Sequence, residues 1–168
     1  MGVDLAIRCG RGGLPGRLAV KLFEEWCFPI ASAELAKRLG AGDPERLLSA
    51  PLIHDSDASG WRAWFAAHGL DYRPRPQDRR FEDYNLVLDA AACDLGIALA
   101  RPPLAHGPME SGRLVQVDPR TVLNPVSYWL DRPNGTIRGA AATLARRIAE
   151  EAGMSPDVLS GFLRAHAK

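Results

Sequence analysis

The sequence predicts an α/β fold with a largely parallel sheet. Three observations carry this: short apolar runs bounded by Gly, Pro or Asp, stretches between them with apolar residues at helical spacing, and cap or stop residues at the joints. Residues 3–7 are the first strand candidate, running into Gly10-Arg11-Gly12-Gly13 and a loop closed by Pro15-Gly16. Residues 18–32 read as a second extended stretch, with Leu22, Phe23, Trp26, Phe28 and Ile30 supplying apolar faces. Ser32 caps a helix through Leu39 that stops at Gly40, the residue best suited to a left-handed closing conformation. Asp43-Pro44, a cap followed by a first-turn proline, opens a short helix.

Residues 51–55 form a short strand, and 59–68 a helix with Trp61, Trp64, Phe65 and His68 on one face, stopped by Gly69. The Arg- and Pro-rich residues 71–80 read as a solvated connection to a strand near Phe81. Asp83 caps the next helix, which turns Val87, Ala90 and Ala91 to one side. A strand at 97–100 ends at Pro102-Pro103, a helical turn near 104–110 follows, and further strands occupy 114–117 and 126–130. Two helices close the chain. In the first, Ile137, Ala141, Leu144, Ala145, Ile148 and Ala152 repeat at helical spacing until Gly153; the second starts at Ser155-Pro156 and sets Val158, Leu159, Phe162 and Leu163 on one face.

Composition narrows the function. With 46% apolar and 24% charged residues, the 168-residue chain suits one globular domain or two small lobes. Twenty-one basic against 20 acidic residues leave a net charge of +1. Phosphate neutralisation needs a basic excess or stripe, so DNA binding by this segment alone is not expected. Cys9, Cys27 and Cys93 are odd in number and widely spaced, which indicates neither a disulfide framework nor a zinc site. No basic leader precedes a long apolar run, and no apolar stretch approaches the roughly 20 residues that span a bilayer. The expectation is a cytoplasmic protein with no membrane partner.

Four patches together carry a resemblance. They are DLAIRCGRGGLPG at 4–16, PLIHD and W..WFAAHGL within 51–70, FEDYNLVLDAA..LGIALA at 81–100, and SYWLDR at 127–132. In order and spacing they resemble the effector domain of LysR-type transcription regulators, most of all the branch with the glycine-cleavage activator and the β-lactamase regulator. The likeness covers about residues 3–150. It implies a type 2 periplasmic-binding-protein-like fold, with two lobes joined by crossing strands and a small-molecule effector held between them. By this mapping residues 1–24 end the opening half of the first lobe and include a hinge strand, 25–122 form the second lobe, and 123–168 return to the first lobe with the C-terminal helices. A full regulator of the family begins with a winged helix-turn-helix, a linker helix and two strand–helix units. These are expected to be absent here, leaving the first lobe incomplete. DNA would be reached only through that missing head, and a homodimer is expected by resemblance. One departure stands out: Asp94 sits where the family usually has the first Gly of the turn leaving the helix that begins at Asp83.

The resemblance implies ligand-binding roles for five residues. Arg8 and Gly10 end the first strand and would face the cleft, where Arg pairs bidentately with an acidic group; a salt bridge across the lobe joint is the structural alternative. Asp83 and Tyr84 open the helix whose N-terminus lies at the cleft. An acidic cap there spends the N–H groups internally and repels a carboxylate, so a simple dicarboxylate is not the expected effector. Tyr128 lies on the returning strand and would pack its ring on a ligand, or simply be buried as strand aromatics are.

Other readings are weaker. His54, Asp55 and Asp57 look superficially like metal ligands, but alternation puts His54 and Asp55 on opposite strand faces, and a polar turn is the better account. Arg73, Arg75, Arg79 and Arg80 make a local basic patch in the connection. Three Cys and four His (His54, His68, His106, His166) come without a nucleophile elbow, a His–Glu helix motif or a phosphate loop, so no catalytic residues, no cofactor and no metal are expected. The alternative to a sensor is a truncated regulator remnant that acts only as a dimerisation module.

Overall fold

The computed structural model describes residues 3–40 and 43–164; His166 lies outside them. The elements in chain order are β1 (Ala6–Gly10), β2 (Arg17–Phe23), β3 (Trp26–Ala31), α1 (Ala33–Leu39), α2 (Pro44–Leu47), β4 (Ile53–Asp55), α3 (Ser59–Ala66), β5 (Arg79–Phe81), α4 (Tyr84–Ala92), β6 (Ala98–Ala100), α5 (Pro102–Glu110), β7 (Val115–Gln116), β8 (Val122–Leu123), β9 (Ser127–Pro133), α6 (Gly139–Glu151) and α7 (Pro156–Arg164). Local chemistry sets the helix starts. Ser32 Oγ accepts from the Leu35 N–H at 3.0 Å, and Asp43 and Asp83 carboxylates accept from Glu45 and Asn85 at 2.9 and 2.8 Å. Gly69 and Gly153, at φ 75° and 67°, end α3 and α6 in the left-handed region.

The chain divides into two compact units, Met1–Glu25 with Val126–Lys168, and Trp26–Pro125. In the first unit β9 lies between β1 and β2 and is antiparallel to both. Its core is Leu22, Leu130, Ala145 and Phe162, with Leu18, Val20, Ile148 and Leu159 packed around them. In the second unit β3 is central, antiparallel to β6, β7 and β8. Two cores flank it. One gathers Trp61, Trp64, Phe65 and Tyr72 with Leu35, Leu39 and Leu47; the other gathers Val87, Leu88 and Ala91 of α4 with Ile30, Ile53 and Ala98.

Three expectations are corrected. The sheet is not largely parallel: parallel pairing is confined to β4–β5 and a bridge from Leu52 to Ile97. Parallel neighbours each need a crossover, whereas β3 and β9 run back against the strands beside them. Residues 18–32 are not one extended stretch; β2 ends at Phe23 and β3 begins at Trp26 in the other unit. Leu144 does not face the core. Ala142, Ala145 and Ala149 do, their small side chains letting α6 settle on the sheet while Leu144 is rotated out, 54% exposed.

Candidate functional site

In the second unit, β4 and β5 run parallel and Leu52 bridges in the same sense to Ile97, just before β6. Their carboxyl ends therefore share one edge, from which α3, α4 and α5 depart. Ligands of open α/β sheets bind at such an edge. Asp55 ends β4, and its carboxylate accepts from Arg101 Nη1 at 2.7 Å. Arg101 follows β6 and is only 8% exposed. Its guanidinium lies 5.1 Å from the centre of the Tyr84 ring. The Tyr84 hydroxyl donates to the Leu99 carbonyl at 2.9 Å and accepts from the Arg101 N–H at 2.8 Å. Tyr84 thus clamps the exit of β6, and the Asp55–Arg101 pair ties β4 to it. Beside them Ser56 holds φ 62°, a strained value for a residue with a side chain.

Asp83 is engaged at the start of α4, where its Oδ1 accepts from the Asn85 N–H and, at 3.1 Å, from Asn85 Nδ2. The helix cap supplies its own negative charge. An anion approaching this end meets a carboxylate first.

Behind β4 runs a buried polar relay. Asp78 accepts from the Leu52 N–H at 2.9 Å, the Arg75 N–H at 2.8 Å, Arg75 Nη2 at 2.8 Å and the Tyr72 hydroxyl at 2.7 Å. Since the single Tyr72 proton goes to Asp78, the 2.8 Å contact between Tyr72 and His54 Nε2 requires His54 to donate. The Nδ1 of His54 is buried. Burial pushes the His54 pKa down, partly offset by Asp78. Burial and the bond to Asp78 push the Tyr72 hydroxyl well above its usual value. Burial would raise Asp78, but donation from Arg75, Leu52 and Tyr72 outweighs it and holds the carboxyl at about 2. His54 and Asp55 therefore point into different networks. Among the described residues no group of three or more His, Cys, Asp or Glu side chains could hold a metal ion. The basic patch is dispersed as well: Arg75 also donates to the Leu48 and Ala50 carbonyls, Arg79 to Leu95, and Arg73 and Arg80 pair with Asp71 and Glu82.

In the first unit, Arg8 donates from Nε to Asp131 at 2.9 Å and from Nη2 to the Gly12 carbonyl at 2.7 Å. Arg17 donates to the other Asp131 oxygen at 2.7 Å, so one carboxylate, 2% exposed, serves two arginines. The Gly10 carbonyl accepts from Trp129 Nε1 at 3.0 Å, and a Cβ at Gly10 would lie 2.8 Å from Arg8 Nη1. The register pairs Arg8 with Trp129 and Cys9 with Tyr128. Tyr128 is therefore on the face opposite Arg8. Its ring sits 5.0 Å from that of Phe23, over an open depression of about 470 Å³ that Ile7, Leu22, Ile148 and Ala152 also line.

Of the five residues singled out in the sequence, Asp83 and Tyr84 are neighbours at one strand-end edge of the second unit. Arg8 and Gly10 stand together in the first unit, with Tyr128 across the sheet from Arg8. Asp55 and Arg101 were missed as a pair. Their contact joins residues 46 positions apart, and the only local hint was an Arg between a strand and Pro102-Pro103.

Comparison with known proteins places this geometry. Residues 1–153 match the LysR substrate binding domain. The chain is 35% identical over 114 residues to the glycine cleavage system transcriptional activator of Escherichia coli K12, a match that spans 67% of this chain and 37% of that protein. It is 32% identical over 132 residues to the HTH-type transcriptional activator AmpR of Yersinia enterocolitica, 78% of this chain and 44% of that one. The chain thus spans less than half the length of these relatives. Among solved structures, the effector domain of the transcriptional regulator AmpR of Pseudomonas aeruginosa superposes with a TM-score of 0.80 at 29% identity, covering 90% of this chain and 73% of that one. The α/β fold is that of LysR effector domains, which are periplasmic-binding-protein-like, and the chain belongs to the LysR substrate-binding domain family.

Proposed function

We propose that this chain is the small-molecule effector-sensing and oligomerisation domain of a LysR-family transcription regulator acting in the cytoplasm. One observation carries the sensing role: the shared edge where β4, β5 and β6 end, lined by Asp55, Asp83, Tyr84 and Arg101. In the first unit Arg8 and Gly10, which stand together, are proposed as ligand contacts, and Tyr128, on the opposite sheet face against Phe23, as a separate one. DNA contact belongs to a helix-turn-helix head outside this chain, as the names of relatives suggest, and the pairing of sensing domains makes the regulator a homodimer. No catalytic residue is assigned; the relatives compared are transcription regulators. Among the described residues no helix is long and apolar enough to cross a membrane.

Charge at the edge selects the effector. Asp83 fills the start of α4, and Asp55 ends β4 at the same edge with Arg101 already committed to it. The fitting chemistry is a neutral or amine-bearing small molecule rather than a simple dicarboxylate. A thermal-shift series with neutral amino acids, small amines and succinate tests this, followed by calorimetry. The expected result is a rise in melting temperature with an amine-bearing compound, reduced in Tyr84→Phe. A tight complex with succinate would overturn the charge assignment, and no response to any small molecule would overturn the sensor reading.

A further inference from the structure

In the second unit β4 ends on a strained turn with a buried histidine beside it. The Asp57 N–H donates to the Asp55 carbonyl at 2.6 Å across Ser56, whose φ is 62°. A three-residue turn of that hand is rare and strained. The Ser56 N–H donates to the Phe81 carbonyl at 3.0 Å, and the Asp57 carboxylate accepts from the Ser59 N–H at 2.7 Å, at the start of α3. His54, 4% exposed, immediately precedes this turn. One side of its ring donates to Tyr72, and the other faces the Asp57 backbone. The imidazole is thus held between a firm neighbour and a soft one. Tyr72 is fixed by Asp78, which Arg75 and the Leu52 N–H also hold, whereas Ser56 and Asp57 lie exposed.

The charges around the ring oppose a second proton in this setting. Asp78 attracts it, but only through Tyr72 and while already paired with Arg75. Asp57 attracts it too, with its carboxylate engaged at Ser59. Arg62 of α3 repels it, and Arg80, in register with His54 on β5, adds a cation on the same side of the sheet. Asp55 turns instead to Arg101. A buried imidazolium is costly unless the ring reaches water, and the strained turn is the restraint that can give way. We infer that His54 is a proton-operated latch: uptake of a proton by its imidazole opens the Asp55–Ser56–Asp57 turn and loosens the end of β4 that presents Asp55. Because Asp55 holds Arg101 at the shared strand-end edge, acid weakens what that edge binds, a consequence that rests on the effector site proposed above. The latch is closed above the ordinary histidine pKa of 6.5 and is lost as pH falls below it.

Amide hydrogen exchange followed by NMR between pH 7.5 and pH 5.0, corrected for intrinsic rates, tests the latch. The expected result is an opening equilibrium at Ser56, Asp57 and Ser59 that rises about tenfold on acidification. Val87, whose N–H is bonded within α4, should stay better protected than these three throughout. His54→Gln should abolish the rise. In the parent protein the rise should level off at the pH where the His54 ring resonances titrate, a readout that needs no substitution. Equal opening at both pH values, a rise that His54→Gln retains, a ring that titrates at 6.5, or one common opening for the turn and Val87 would overturn the inference. The measurement uses no ligand, so its failure leaves effector sensing standing, and a protein that no small molecule stabilises leaves the latch standing.

Discussion

Asp78→Asn is the sharpest test of how the second unit is held. The carboxylate is 2% exposed and accepts hydrogen bonds from Arg75, Leu52 and Tyr72. Its pKa is about 2 against an ordinary 3.8, which makes ionised Asp78 worth about 2 kcal/mol of folding stability at neutral pH. Asparagine presents an NH₂ where Tyr72 and Arg75 also donate, so the expected loss is about 2–4 kcal/mol at pH 7. The sign follows from the depressed pKa: the stability is complete above about pH 4 and is lost as pH falls through about 2. Urea unfolding of both proteins at pH 7 and pH 3 reads it, and the gap between them should shrink to roughly half at pH 3. The relay should also reverse. The new side-chain amide would donate to the Tyr72 oxygen, Tyr72 to His54 Nε2, and the imidazole proton would move to Nδ1, visible in its ¹⁵N shifts. A variant within about 0.5 kcal/mol of the parent at pH 7, or a gap equal at both pH values, would refute this account.

Three further outcomes follow from the same structure. Because His54 titrates below its usual value when folded, it favours the folded state above the unfolded pKa of 6.5 and loses that contribution as pH falls below it; melting temperature should therefore drop between pH 7.5 and 5.5, and less so in His54→Gln. Asp94, at φ 64°, accepts from Ser32 Oγ at 2.7 Å and Arg38 Nη2 at 2.6 Å. Asp94→Ala keeps the backbone strain and loses both bonds, whereas Asp94→Gly removes the strain, so scanning calorimetry should rank alanine below glycine. A Cβ at Gly96 would sit 2.4 Å from the Pro51 carbonyl oxygen at φ 152°; Gly96→Ala should cost about 3 kcal/mol or more in urea unfolding.

What the sequence disclosed tracks how local each signal was. Caps and stops such as Ser32, Asp43, Asp83, Gly69 and Gly153 were legible because a cap concerns its own first turn. The aromatic face of α3 was legible because Trp61, Trp64 and Phe65 repeat at helical spacing and are all buried. Strand pairing sense was not, because β9 finds β1 and β2 more than 100 residues away. For α6 periodicity misled: leucine outranks alanine in apolarity, yet the alanines gave the close-packing face. At the candidate site, Asp83 and Tyr84 could be proposed from their place at a helix start. The partners that fix Tyr84, Leu99 and Arg101, come from another strand and its exit, and the sequence carries no sign of that contact.

The doubly used Asp131 has a consequence for how Arg8 could serve a ligand. An incoming carboxylate does not find a vacant cation; it must displace an internal rival already seated at 2.9 Å. Displacement here is a partial eviction, because Arg17 keeps its own 2.7 Å bond and Asp131 is never left without a counter-charge. If Arg8 serves the effector as proposed, recognition there would be an exchange of one anion for another, with little net change in charge pairing. Its strength would depend on the shape of the incoming group more than on its charge, and would respond weakly to added salt.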